Sequence, residues 1–163
     1  MKIYMSIDIE GCAGVVDRNH GNINAGGEFE LGRRLMTLET NAAIEGALEA
    51  GATEIVINDS HAQMRNLLPE LLHPKATVIQ GRLKPMFMVE GLDSSFDGVF
   101  FVGYHASAGV RDAVLNHAYH PYEVRYNGVV YSEAGINASV AGHYGVPIAL
   151  VTGDDAAVRD AER

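Results

Sequence analysis

Apolar residues in this chain gather in short unbroken runs separated by polar, glycine-punctuated stretches. Ile3-Tyr4-Met5 with Ile7, Ile55-Val56-Ile57, Thr77-Val78-Ile79, Val99-Phe100-Phe101-Val102 and Ile148-Ala149-Leu150-Val151 are five such runs. Runs of this length without alternation predict strands covered on both faces. Between the first two runs lies a Gly/Asn-rich loop over 17–27, then a helix ending near residue 50. There Leu31, Leu35, Leu38 and Ala42 recur at helical spacing, and Gly51 follows as the C-cap. Ala62 to Leu72 reads as a short helix or turn stopped at His73-Pro74, and Lys84 to Leu92 as a loop or short helix. From Ala118 to Tyr131 the pattern alternates around Asn127-Gly128. Asn-Gly between β-formers predicts a tight hairpin, because both turn residues must take positive φ. Ser132 is placed to N-cap a helix from Glu133 to about Tyr144, with Gly145 at its end, and a charged helix begins near Ala156. Strands alternating with helices predict an α/β fold: a mostly parallel sheet with helices on both faces, plus a β-hairpin near 118–131.

Composition narrows the function classes. With 163 residues, 47% of them hydrophobic, the chain is long enough to bury a substantial core. No internal repeat or Pro/Ser-rich linker divides it, so residues 1–163 read as one domain. The last helix runs on to Arg163 without a cap signal, which reads as the N-terminal portion of a longer architecture. No apolar run is long enough to span a bilayer, and Asp8 and Glu10 interrupt the first run as no signal peptide would. A cytoplasmic location is the expectation. The net charge of −9 argues against nucleic acid or an anionic membrane surface as partner. The single Cys12 excludes an intrachain disulfide and a thiolate cluster, and reads as a small apolar residue in a turn.

The chemistry gathers where strands end. Asp8 and Glu10 are two positions apart, so on a strand both leave the same side of the backbone. Two carboxylates held together repel and are costly to desolvate unless a cation lies between them. In open parallel sheets the binding crevice lies beyond the carboxyl ends of the strands. Residues just past the other runs are Asp59 and His61, His105, and Asp154 with Asp155. Two imidazoles and several carboxylates form a ligand set for zinc or manganese. Asp59, Asp154 and Asp155 suit capping or supporting roles. Glu133 opens a helix, where position alone favours a carboxylate complementing the helix dipole. His117 and His120 lie near the hairpin; each reads as a surface histidine or as a proton carrier beside a metal. His20, His73 and His143 have no supporting context. No Gly-x-Gly-x-x-Gly, Walker loop or Gly-x-Ser-x-Gly elbow occurs.

Ser6-Ile7-Asp8-Ile9-Glu10-Gly11, Asn58-Asp59-Ser60-His61, Gly103-Tyr104-His105-Ala106, Asn116-His117, Glu133 with Gly135 and Asn137, and Gly153-Asp154-Asp155 occur in that order. In this the chain resembles the zinc-dependent D-aminopeptidases of bacteria and archaea, the type associated with dipeptide-transport operons. The resemblance implies a metallopeptidase that releases N-terminal D-amino acids from short peptides through water activated by two zinc ions per subunit. It implies Asp8, Glu10, His61, His105 and Glu133 as metal ligands and His117 as the catalytic residue. It also implies a ring-stacked homo-oligomer, decameric in form, with active sites facing an inner chamber. Two rivals remain. One is a dinuclear phosphoesterase or amidohydrolase, against which Arg111 is the only cation between His105 and His117. The other is a metal-binding scaffold without activity.

Overall fold

The computed structural model describes residues 1–119 and 122–163, so His120 lies outside the described residues. Five strands form the main sheet: β1 (Lys2–Ile7), β2 (Glu54–Asp59), β3 (Ala76–Ile79), β4 (Gly98–Val102) and, near the chain's end, β9 (Ile148–Val151). Between β4 and β9 come two short strand pairs, β5 (Ala106–Ser107) with β6 (Asn116–His117) and β7 (Val124–Tyr126) with β8 (Val129–Tyr131). Among the described residues three α-helices accompany them: α1 (Gly27–Glu49) after β1, α2 (Glu133–His143) after β8, and α3 (Asp155–Ala161) after β9. All five main strands are parallel, in the order β3-β2-β1-β4-β9.

Both sheet faces are covered, which is why the strands carry unbroken apolar runs. Alternate residues of β1 go to opposite sides. Ile3, Met5 and Ile7 join Met36 and Ile44 of α1, while Tyr4 joins Phe101 of β4 and Ala134 and Ala141 of α2. The helical stretch before Gly51 forms as expected, but its buried face is not the leucine stripe. Leu31 and Leu38 are 45% and 46% exposed, and the core is met by Phe29, Met36, Ile44 and Ala47. Polar positions make this face possible. Gly32 sits against the His20 carbonyl, where a Cβ would overlap it, and the Thr40 hydroxyl is satisfied by the Met36 carbonyl at 2.8 Å. Small and self-satisfied polar residues thus share the packed side of the helix.

The Asn-Gly hairpin is present as β7 and β8, with Asn127 and Gly128 at φ 51° and 82°. It occupies 124–131, the second half of the expected 118–131 span. The β5–β6 pair is parallel and was not foreseen; two residues per strand leave no periodicity to read. Residues 62–72 form turns and no helix.

The strand order reverses direction between β1 and β4. Chain crossovers depart to opposite sides there and open a crevice at the carboxyl edge. Registers of Ile7 with Asp59 and of Ile7 with Val102 put Asp8, Ser60 and Gly103 level at that edge.

Candidate metal centre

The crevice is built by close backbone approach. The Asp8 N–H donates to the Val102 carbonyl at 2.8 Å, and the Gly11 N–H to the Gly103 carbonyl at 2.8 Å. A Cβ on Gly11 would overlap the Tyr104 carbonyl, and one on Gly103, at φ 71°, would overlap the Asp8 carbonyl and Cys12 Sγ. Two glycines therefore let the segments after β1 and β4 interlock, and this brings the first acid pair against His105. Cys12 is buried and donates to the Asp8 carbonyl at 3.3 Å; burial pushes its thiol pKa up, so it packs rather than reacts.

Asp8 is the hub. Its Oδ1 accepts from the Ile9 N–H at 2.9 Å and lies 3.2 Å from His61 Nδ1. Its Oδ2 faces the other way, 3.6 Å from His105 Nε2. Glu10 Oε2 lies 3.1 Å from His61 Nδ1. Glu133 Oε2 lies 3.5 Å from His105 Nε2, and its Oε1 lies 3.6 Å from His117 Nε2. Glu133 therefore does more than complement a helix dipole. Ser132, whose side chain accepts from the Gly135 N–H at 3.2 Å, starts α2 so that the Glu133 carboxylate enters the crevice.

The far nitrogens of two histidines are fixed. His61 Nε2 is 2.8 Å from the Gly21 carbonyl, and His105 Nδ1 is 2.8 Å from the Ala106 carbonyl. A carbonyl only accepts, so those nitrogens carry the hydrogens, and a neutral ring then offers its lone pair at His61 Nδ1 and His105 Nε2. Both point at Asp8. The donor set passes a simple test for zinc. Ligand atoms about 2.0–2.2 Å from a tetrahedral ion are about 3.3–3.6 Å apart. The His105–Asp8 and His105–Glu133 separations of 3.6 and 3.5 Å lie in or at the edge of that range, too long for good hydrogen bonds. Among the described residues, Asp8 Oδ2, Glu10 Oε2 and His105 Nε2 are buried without a hydrogen-bond partner. Buried polar atoms left this way are costly unless something else pairs with them. Two overlapping triads place donor atoms within 4.8 Å of one another: Asp8, Glu10 and His105, and His105, His117 and Glu133.

Titration follows from this crowding. Burial and the Glu10 charge push Asp8 up to about 7. Burial disfavours the charged form of His105, but Glu133 and Asp8 more than offset it and push the ring up to about 10. Despite burial, the Glu10 and Asp8 carboxylates hold His61 well above the usual imidazole range. Burial also works to raise Glu10, but the His61 charge holds its carboxyl below the usual range. His117 goes the other way: burial and the His105 charge lower it. His117 stacks on His105 with centroids 3.8 Å apart, and its side chain is 41% exposed, against 1–13% for Asp8, Glu10, His61, His105 and Glu133.

The other strand-end acids serve the scaffold. Asp59 accepts from the Leu67 N–H at 2.8 Å and from the Asn66 N–H, tying down the turn after His61. Asp154 caps α3 by accepting from the Ala157 N–H at 2.7 Å, and Asp155 pairs with Arg159. Sequence reading missed the support beneath the site. Ser6 Oγ lies 2.7 Å from Ser60 Oγ and 2.6 Å from Tyr104 Oη, and Asn137, one turn after Glu133, donates to Tyr104 Oη at 3.0 Å. Polar residues inside apolar strands, Ser6 above all, were the available signal. Gly21, in an Asn/Gly loop that read only as a connector, holds His61.

Comparisons with known proteins agree with this fold. Residues 1–163 match the peptidase M55 family, described as D-aminopeptidase. A D-aminopeptidase of Bacillus subtilis (strain 168) is 45% identical over 166 aligned residues, covering 99% of this chain and 59% of the relative. A solved structure, the Zn-dependent D-aminopeptidase DppA from Bacillus subtilis, described as a self-compartmentalizing protease, superposes with a TM-score of 0.91 at 45% identity. That match covers 99% of this chain and 59% of the solved one, so the chain spans a little under two thirds of the length of the relatives it matches.

Proposed function

Because the chain belongs to the peptidase M55 D-aminopeptidase family, we propose that it is the metal-binding part of a zinc aminopeptidase that releases N-terminal D-amino acids from short peptides. The observation that carries this reading is the two-sided setting of Asp8. Its two oxygens face two different histidines, and each histidine is oriented by a main-chain carbonyl on its far nitrogen. That setting suits a carboxylate shared by two ions. Asp8, Glu10 and His61 would hold one zinc, and Asp8, His105 and Glu133 the other. A zinc pair so held would polarise the scissile carbonyl and lower the pKa of water at the site.

The remaining work falls to the chain itself. The buried histidines and carboxylates exclude bulk water and keep the ligand geometry rigid. His117, more exposed and shifted downward by burial, would take a proton during attack and return it to the departing amine. Its exposure sets it apart from the four buried ligands and the half-buried Glu10, although its distance to Glu133 would also permit coordination.

Metal analysis of the purified chain, followed by assays with D-Ala-D-Ala, L-Ala-L-Ala and a chromogenic phosphate ester, tests the reading. The expected result is two zinc ions per chain and hydrolysis of the D-dipeptide alone. Phosphate-ester turnover without peptide cleavage would move the assignment to the phosphoesterases. Zinc without any turnover, in a chain extended to its relatives' length, would leave a binding scaffold. No helix among the described residues is long and apolar enough to cross a membrane. A cytoplasmic location and assembly into a decameric ring belong to the same proposal. The self-compartmentalizing relative supports the ring, and a light-scattering mass would check it.

A further inference from the structure

Two cavities meet beside the metal centre. The inner one, about 290 Å³, is lined by Asp8, His61, His117 and Glu133, together with Arg82, Phe87 and Tyr119. The outer one, about 630 Å³, shares Arg82, Phe87 and Tyr119 and is otherwise mostly apolar, with Met64, Met86 and Ile136 among its walls. Phe87 and Tyr119 pack edge to face, centroids 5.5 Å apart, and the Tyr119 hydroxyl reaches Met88 Sδ at 2.8 Å. The junction between the cavities is thus a fixed aromatic corner with one guanidinium beside it.

That guanidinium is available. Arg82, like Arg18, Arg34, Arg65 and Arg111, forms no ion pair among the described residues, whereas Arg33, Arg125, Arg159 and Arg163 each pair with a carboxylate. One of its donors, on Nη2, is used on the Ala62 carbonyl at 3.0 Å, immediately after His61. This anchors the side chain at the mouth of the inner cavity and leaves the rest of its fork free. Lys84 lines the outer cavity too, but two of its three Nζ donors are used on the Asp59 and Ile79 carbonyls at 2.7 and 3.1 Å. The Lys84 ammonium adds positive potential there. Three non-glycine residues near this junction, Ala62, Met64 and Phe87, take positive φ of 46°, 56° and 54°. Such backbone is held at a cost and clusters at ligand sites.

Resting on the aminopeptidase reading, we propose that this junction is the subsite for the peptide beyond the scissile bond. Arg82 binds the free C-terminal carboxylate of a short peptide there, and the apolar cavity takes the adjoining side chain. An arginine fork matches a carboxylate with two parallel N–H···O bonds. A metal centre reached through such a subsite selects peptides by their length and free terminus as well as by the chirality of the first residue. Arg18 lines another cavity beside His117, of about 380 Å³, but that cavity touches only Glu10 and His117 of the six site residues. Arg82 shares its cavity with four of them.

The test compares kcat/KM for D-Ala-D-Ala with that for its C-terminal amide, in the zinc-loaded wild type, Arg82→Ala and Arg82→Gln. The ratio of the two substrates is independent of the fraction of active enzyme, so a partly unfolded variant still reports. The wild type is expected to prefer the free acid by about 10- to 100-fold, the usual range for a charge-assisted hydrogen-bonded pair. Both variants are expected to bring the ratio close to one, mainly through KM. A wild-type ratio near one with both substrates cleaved overturns the subsite and leaves the peptidase reading standing. Cleavage of neither substrate overturns both. A ratio unchanged by the Arg82 variants but abolished by Arg18→Ala moves the carboxylate to the other side of His117. Loss of both activities in both variants, with circular dichroism intact, assigns Arg82 to scaffold or chemistry and also overturns the proposal.

Discussion

On the two-zinc proposal, a single carboxylate serves both ions. Asp8 is 2% exposed and addresses His61 with one oxygen and His105 with the other. Replacing it with alanine removes the carboxylate that faces both histidines and leaves Glu10 and Glu133 on opposite sides of a gap. Asp8→Ala is expected to lose both zinc ions in metal analysis after dialysis, and full retention would remove its central place. His117→Ala is expected to behave differently. It should keep zinc at wild-type stoichiometry and lose turnover by about 100-fold or more, the usual worth of a positioned acid–base group. If zinc falls to one ion instead, His117 is a ligand of the His105–Glu133 side. The two substitutions together separate holding the metal from moving the proton. That distinction was not available from residue types, because a histidine near a hairpin has the same pattern in either role.

The elements that carry these side chains were legible to different degrees, and the reasons are physical. Strands covered on both faces write themselves as apolar runs, so β1, β2, β4 and β9 and the acids and histidines just past them could be located from sequence. The buried face of α1 could not, because it is made by Gly32, Thr37 and Thr40 as much as by Met36 and Ile44. The Gly21 clamp on His61 and the Ser6–Tyr104–Asn137 network were invisible for a related reason. They act through main-chain atoms or across separations of up to 98 residues, and no local pattern records such pairing. Glycine shows the contrast within one residue type. Gly103→Ala places a Cβ against the Asp8 carbonyl at positive φ, and is expected to cost more than about 2 kcal/mol and to weaken zinc binding. Gly46→Ala, on an open stretch of α1, is expected to stabilise by about 0.5–1 kcal/mol. Urea unfolding of the two variants checks both signs.

For the molecule as a whole, the crowded charges make metal-free stability depend on pH in a set direction. His105 in the folded chain is pushed up to about 10, against an ordinary value near 6.5, and Asp8 to about 7, against an ordinary value near 3.8. Both groups hold protons in the folded state at pH values where the unfolded chain has released them. For His105, this stabilisation is complete below about pH 6.5 and is lost as pH rises towards about 10. For Asp8 it is lost between about 4 and about 7, in the same direction. Glu10, shifted down, works oppositely, but only in acid below the ordinary glutamate range. The Tm of EDTA-treated protein is therefore expected to fall as pH is raised from about 6 to about 9. Zinc requires the deprotonated ligands, so its binding releases protons and its stabilising effect should grow over the same interval. Scanning calorimetry with and without zinc at the two ends reads both effects. A zinc-induced gain in Tm that is equal at both pH values would mean that the ions bind away from His105 and Asp8. A gain that widens with pH would tie the fold's stability to the same carboxylates and imidazoles that the crevice between β1 and β4 brings together.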